Sequence, residues 1–209
     1  MLHLWGLPRA MKFDNGQPFA DTTANMTPPL ALWLLGIGIE LIYNRPNSPQ
    51  ANAKVERCQG TSARWAEPGQ ATSAAQLKHR LEEVCHDHVF RYPTRVCGGK
   101  TRIVCFPELL ENPRPFQPER FDLSKVMDFV ARGTYVRSVS KTGQIAIFKA
   151  RHSLGQKFKY QEVTLKFDPH NREWVVYDRN GTMLKKFKAA NLTKENILNL
   201  NLSKNYLET

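Results

Sequence analysis

PNSPQANAKVERCQGTSARWAE, residues Pro46 to Glu67, reads as one helix and its approach. Asn47 or Ser48 can cap it, and Pro49 suits a first turn, where its missing N–H is not needed. The helix is expected over Gln50–Ala66 and ends at Pro68-Gly69. At about 100° per residue Asn52, Glu56 and Gln59 share a polar face, bordered by Arg57 and Arg64. Val55, Cys58, Ser62 and Trp65 form a mostly apolar face that should pack on a core. A carboxylate held between amides and arginines is either a solvated glutamate or a ligand.

Working upstream, Ala10-Met-Lys-Phe-Asp14-Asn-Gly-Gln-Pro-Phe19 reads as a short strand ending on an aspartate and a tight turn. Alone, Asp-Asn-Gly is an ordinary turn signal. Followed 42 positions later by the glutamate of PQxNxxxE, it resembles the catalytic core of retroviral-type integrases and insertion-sequence transposases. The match covers Trp5 to Glu67. The resemblance implies an RNase H-like α/β fold, with Asp14 and Glu56 as the second and third members of a D, D, E triad. Asn52 matches the asparagine one turn before the glutamate. It further implies Mg2+ or Mn2+ as cofactor, DNA as partner and self-association into a homo-oligomer.

The first aspartate of that triad has no counterpart. In the resembled core, three strands and a helix precede the DNG motif, and every other aspartate here lies after it. The chain therefore reads as the C-terminal portion of a transposase, with a separate chain as one source of the absent strands. Two-metal phosphoryl transfer places two cations roughly 3.5–4 Å apart, and three carboxylates are the usual minimum to hold them. Asp14 and Glu56 alone fall short of that, so the chain is expected to be inactive by itself. The alternatives are a non-catalytic DNA-binding protein and the remnant of a decayed mobile element.

The rest of the chain is read from pattern. PLALWLLG, Pro29–Gly36, is expected as a buried helix and IGIELIY, Ile37–Tyr43, as a buried strand. The order strand, helix, strand, loop, helix fits half of an α/β sheet domain. Gln70–Val89 reads as another helix. Cys85-His86-Asp87-His88, with Cys97 or Cys105, lacks the paired spacing of zinc sites. Those cysteines are expected in the core, with a histidine at a helix end.

From Arg132 the period changes to two. Strands are expected over Thr134–Ser138, Gln144–Phe148, Glu162–Phe167, Glu173–Tyr177 and Met183–Phe187. Val163, Leu165 and Phe167 alternate with polar residues, and Asn180-Gly181 is a strong hairpin signal. Five strands in about sixty residues suit a small SH3-like β-barrel, similar to the barrel that follows many transposase cores. The expected organisation is a partial core over 1–90, a Pro/Gly-punctuated linker over 91–131, a DNA-binding barrel over 132–190, and a terminal helix with its tail over 191–209, the helix itself over Asn191–Leu200 with Thr193 as cap.

Charge separates the two ends. The chain carries 30 Lys and Arg against 19 Asp and Glu, a net +11. Residues 132–190 hold thirteen of those cations against four acids, a surplus of nine, which favours a polyanionic partner. Asn52, Arg57, Gln59 and Arg64 are expected to bind DNA from the first helix, and Lys157, Lys159, Lys166, Lys185, Lys186 and Lys188 from the barrel. Otherwise the lysines are the solvent faces of half-buried strands, where lysine deters edge pairing. Four cysteines without disulfide density, and no convincing signal or spanning segment, set a reduced, cytoplasmic and nucleoid-associated location as the default, with no membrane partner.

Overall fold

A computed structural model describes residues 2–16, 18–20, 27–45, 49–112 and 114–198. The elements in order are α1 (Leu2–Trp5), β1 (Ala10–Phe13), α2 (Pro29–Gly36), β2 (Glu40–Tyr43), α3 (Ala53–Ala66), α4 (Ala74–Phe90), α5 (Arg102–Cys105) and α6 (Glu108–Glu111). They continue with α7 (Leu123–Ala131), β3 (Tyr135–Ser138), β4 (Gln144–Ile147), β5 (Ala150–Ser153), β6 (Glu162–Asp168), β7 (Glu173–Tyr177), β8 (Met183–Lys188) and α8 (Lys194–Leu198). The chain divides into two compact units, one of residues 1–8 and 44–116, the other of residues 9–43 and 117–209.

The helical unit is built on α3 and α4. A 3-10 turn over Pro49–Asn52 leads into α3, and Glu67 closes it in the left-handed region at φ 44° just before Pro68. The expected Asn47 or Ser48 cap lies outside the described residues. Ser73 caps α4 by accepting from the Gln76 N–H at 3.2 Å. The apolar face expected of α3 is not covered: Val55 is 55% exposed, Trp65 42%, and Cys58 is open, leaving Ala66 as the buried residue of this helix. Trp65 instead lies against α4 and the residues just after it, with ring centroids 4.8 Å from His88 and 4.6 Å from Tyr92. Cys85 and Cys105 are likewise exposed and only Cys97 is buried, so the expectation of core cysteines holds for one of them. The chain start is fastened to this unit at Gly6, where φ is +73° and a Cβ would lie 2.1 Å from Asn112 Oδ1. Only a glycine fits there.

The second unit holds the larger core. β1 and β2 pair in parallel from Ala10–Glu40 to Phe13–Tyr43, with α2 as the crossover. Ala31, Leu32 and Leu34 of α2 are buried. Helix α7 forms inside the stretch that reads as linker. Asp122 caps it by accepting from the Ser124 N–H at 2.9 Å, and Val126, Met127 and Val130 are buried. The Asp122 N–H donates to the Gly36 carbonyl at 2.9 Å, which ties the end of α2 to the start of α7.

The expected five strands form, with β5 as an unforeseen sixth, but they do not close into one barrel. β3-β6-β7-β8 is an open antiparallel sheet, and β4-β5 is a separate hairpin. The inner face centres on Trp174, 1% exposed, whose ring meets Tyr135 edge-on at 5.3 Å, Phe167 at 5.1 Å and Phe148 at 5.5 Å. Tyr135 donates its hydroxyl to the Val130 carbonyl at 3.2 Å, and burial pushes its pKa up to about 12. It therefore stays a neutral donor that joins the sheet to α7. Thr193 caps α8, accepting from the Asn196 N–H at 3.3 Å, and the expected continuation past Leu198 lies outside the described residues.

Candidate functional site

Asp14 follows the C-terminal end of β1, the rim where open α/β sheets place their ligands. It is exposed, and its Oδ1 accepts from the Gly16 N–H at 3.2 Å. The Gly16 carbonyl then accepts from the Phe19 and Ala20 N–H groups at 3.1 and 3.0 Å. Phe19 stacks on Phe13 at 4.1 Å, and its carbonyl takes the Tyr43 hydroxyl at 2.8 Å. The DNG turn is thus braced from both strands, and its carboxylate stays open to solvent.

Glu56 lies in the first turn of α3, exposed to solvent, with Arg57, Gln59 and Arg64 exposed on the same helix. Asn52 is committed locally, its Oδ1 accepting from the buried Asn44 side chain at 2.5 Å. Asp14 belongs to one compact unit and Glu56 to the other. Among the described residues no three His, Cys, Asp or Glu side chains gather as a metal group.

Register sorts the six lysines expected on the barrel into three places. Lys166, Val175 and Lys186 form one row across the outer face of the sheet, and Asp168, Glu173 and Lys188 form the next. Lys188 pairs with Glu173 at 3.0 Å. Three lysines on this face thus meet three carboxylates, counting Glu162 on the same side of β6. Lys185 lies on the opposite side, its ammonium donating to the Ser153 carbonyl at 2.9 Å. Lys157 and Lys159 sit on the connection between β5 and β6, both exposed.

The positive surplus is concentrated elsewhere than on the sheet face. Between Asp128 and Glu162 the sequence holds no acid, while Arg132, Arg137, Lys141, Lys149, Arg151, Lys157 and Lys159 supply seven positive charges. This acid-free run is β3, the β4-β5 hairpin and the connection to β6. Arg137 is anchored by donating to the Ala146 carbonyl at 3.1 Å, and the other six are exposed. Charge counted over the whole of 132–190 hides this, because all four acids fall on β6, β7 and the turn after them. Reading the acids by strand rather than by window would have found it.

Among the described residues no helix is long and apolar enough to cross a membrane. No family model matches the chain.

Proposed function

We propose that this chain is a DNA-handling portion of a DDE-type transposase or integrase, with an RNase H-like half and an SH3-like DNA-binding half. The observation that supports the DNA part is the acid-free run between Asp128 and Glu162, whose cations offer phosphates a surface without internal neutralisation. Support for the transposase part is the placement of the DNG motif after a strand in a parallel strand–helix–strand unit, as its resemblance requires. Asp14 and Glu56 are the proposed metal carboxylates, and Mg2+ or Mn2+ supplies phosphoryl activation when bound. Two such ligands alone do not position a pair of metals.

A second reading, a non-catalytic DNA-binding protein, uses the acid-free run alone and needs no carboxylate. Both readings share the first experiment, anisotropy titration of a labelled 20-base-pair duplex with the full chain from 50 to 300 mM salt. Binding that weakens steeply with salt is the expected result. Binding indifferent to salt, or none at 50 mM, would overturn both. A joining assay on nicked and blunt ends with Mn2+ and a supplied polypeptide carrying an aspartate on its first strand then separates them: products lost on Glu56→Gln support the transferase, and their absence favours the binding protein.

A further inference from the structure

Gln156-Lys-Phe-Lys-Tyr-Gln161 alternates lysine with aromatic residues. A 3-10 turn over Gln156–Phe158 begins it, and Tyr160 then takes the left-handed region at φ 63°. That conformation costs a side chain about 1–2 kcal/mol where glycine or asparagine would suffer less. The segment is nonetheless pinned. The Tyr160 N–H donates to the Val139 carbonyl at 2.9 Å, the Val139 N–H donates to the Gln161 carbonyl at 2.8 Å, and the Gln161 N–H donates to the Phe158 carbonyl at 3.1 Å.

The ring that this geometry displays lies mostly in solvent. Tyr160 is 72% exposed, more open than Trp65, Tyr92 or Phe106, and it has no ring partner among the described residues. Lys157 and Lys159 precede it in the same turn, both in solvent, and the Lys157 ammonium sits 4.8 Å from the Phe158 ring centroid. No acid occurs from Phe129 to Gln161. An exposed π-face that follows two exposed cations in one short turn complements a base and nearby phosphates. Paired bases inside a duplex hide their faces; unpaired ones offer them.

We propose that the Gln156–Gln161 turn binds single-stranded DNA, with an unpaired base stacked on Tyr160 and the flanking phosphates on Lys157 and Lys159. This rests on the DNA reading under Proposed function and adds the class of DNA that the turn takes. Stacking is non-ionic, so it raises affinity without changing the number of released counterions, whereas each lysine bound to a phosphate changes that number.

The test is anisotropy with the full chain, a labelled mixed-sequence 20-mer, and the blunt duplex of the same sequence. Tyr160→Asn removes the ring and tolerates the left-handed backbone; Tyr160→Phe keeps the ring. Expected is a loss of about five- to a hundred-fold for the single strand with Tyr160→Asn, at unchanged salt slope. Tyr160→Phe should bind like the parent, and duplex affinity should change by less than about two-fold in either variant. Lys157→Ala with Lys159→Ala should instead flatten the slope. Equal effects of Tyr160→Asn on both DNAs, or none on either, would overturn the stacking proposal while leaving the DNA reading intact. Failure of the parent chain to bind either DNA would overturn both. Circular dichroism melting of each variant guards the comparison against unfolding.

Discussion

The Lys185 ammonium donates to the Ser153 carbonyl oxygen at 2.9 Å, tying edge strand β8 to the end of β5. Its neighbour Lys186 lies on the other face, in a row with Val175 and Lys166. Adjacent lysines on one strand thus have different work. One is fixed to backbone, and the other stands on a face where carboxylates match the lysines in number.

Electrostatic neutralisation on that face predicts an unequal lysine scan. Lys157→Ala with Lys159→Ala should lower the salt slope of duplex binding by about 1 for each phosphate no longer neutralised. Lys166→Ala with Lys186→Ala should change it little. Lys185→Ala should act on stability, by about 1 kcal/mol for one exposed hydrogen bond. Salt-dependent titrations and urea melts of the three variants separate these outcomes. Equally flattened slopes from both pairs would place the DNA on the sheet face instead.

Gly36 ends α2 against the ring of Phe121, and a Cβ there would lie 2.0 Å from the ring edge. Neither the ring nor the glycine can yield without disturbing the hydrogen bond from the Asp122 N–H to the Gly36 carbonyl. Gly36→Ala should therefore destabilise by about 1–3 kcal/mol, as overpacking does. A urea melt measures it. A neutral result would mean that the α2–α7 junction is looser than its geometry.

The β4-β5 hairpin turns through Phe148 and Lys149, both with positive φ, 46° and 61°. Two such residues make the mirror-image turn that hairpins favour, normally built from Asn and Gly. Here Phe148 is held by its stack on Trp174. Lys149 is exposed, so Lys149→Asn should raise stability by up to about 1 kcal/mol without touching the core. Thermal melts of the two chains decide it, and a lower melting temperature in the variant would show that Lys149 carries no backbone strain to relieve.

That turn also explains what the sequence hid. Phe-Lys carries no turn signature, and Ala-Arg-His-Ser has no apolar alternation, so β5 is visible only through its pairing with β4. Val163, Leu165 and Phe167 are legible because one face of β6 is buried and the other is wet. α2 and α3 are legible from prolines at their starts and from Pro68 after α3. The cover for Val55 and Trp65 is not, since an apolar helical stripe states a need for packing without naming a partner. α7 has signals that punctuation masks: Asp122 as cap and Val126, Met127, Val130 at helical spacing, behind a run of prolines. For the candidate site, the braced DNG turn is legible, while Asn52's bond to Asn44 depends on two side chains eight positions apart.

Asp168 organises the turn after β6. Its carboxyl is held below the usual range first by the Asn171 side chain and backbone N–H, against the opposing effect of burial, and then by the His170 N–H and ring. A folded pKa below the unfolded one means the stabilisation is present above about pH 4 and is lost as pH falls through the folded value. Asp168→Asn should therefore melt lower than the parent at pH 7, and the gap should close as the pH falls below about 4. Melting curves across that range measure it. A gap that stays constant would show that the charge is not what holds the turn.

Asp14 and Glu56 are joined in one proposed metal site by motif, and metal binding itself can test that. Manganese added to the parent chain should raise its melting temperature, since a ligand that binds the folded state stabilises it by mass action. Asp14→Asn and Glu56→Gln each remove a charged oxygen while keeping shape, so each should abolish the rise if both hold the same ion. Neither should alter duplex binding by more than about two-fold, because both lie outside the acid-free run. With only two assigned carboxylates, the chain alone should neither cleave nor join DNA; supplying a polypeptide with an aspartate on its first strand should restore joining that depends on both residues. A melting rise that survives in one variant would take that residue out of the site. Cleavage by the unassisted chain, lost on Glu56→Gln, would mean that another of its carboxylates completes the set.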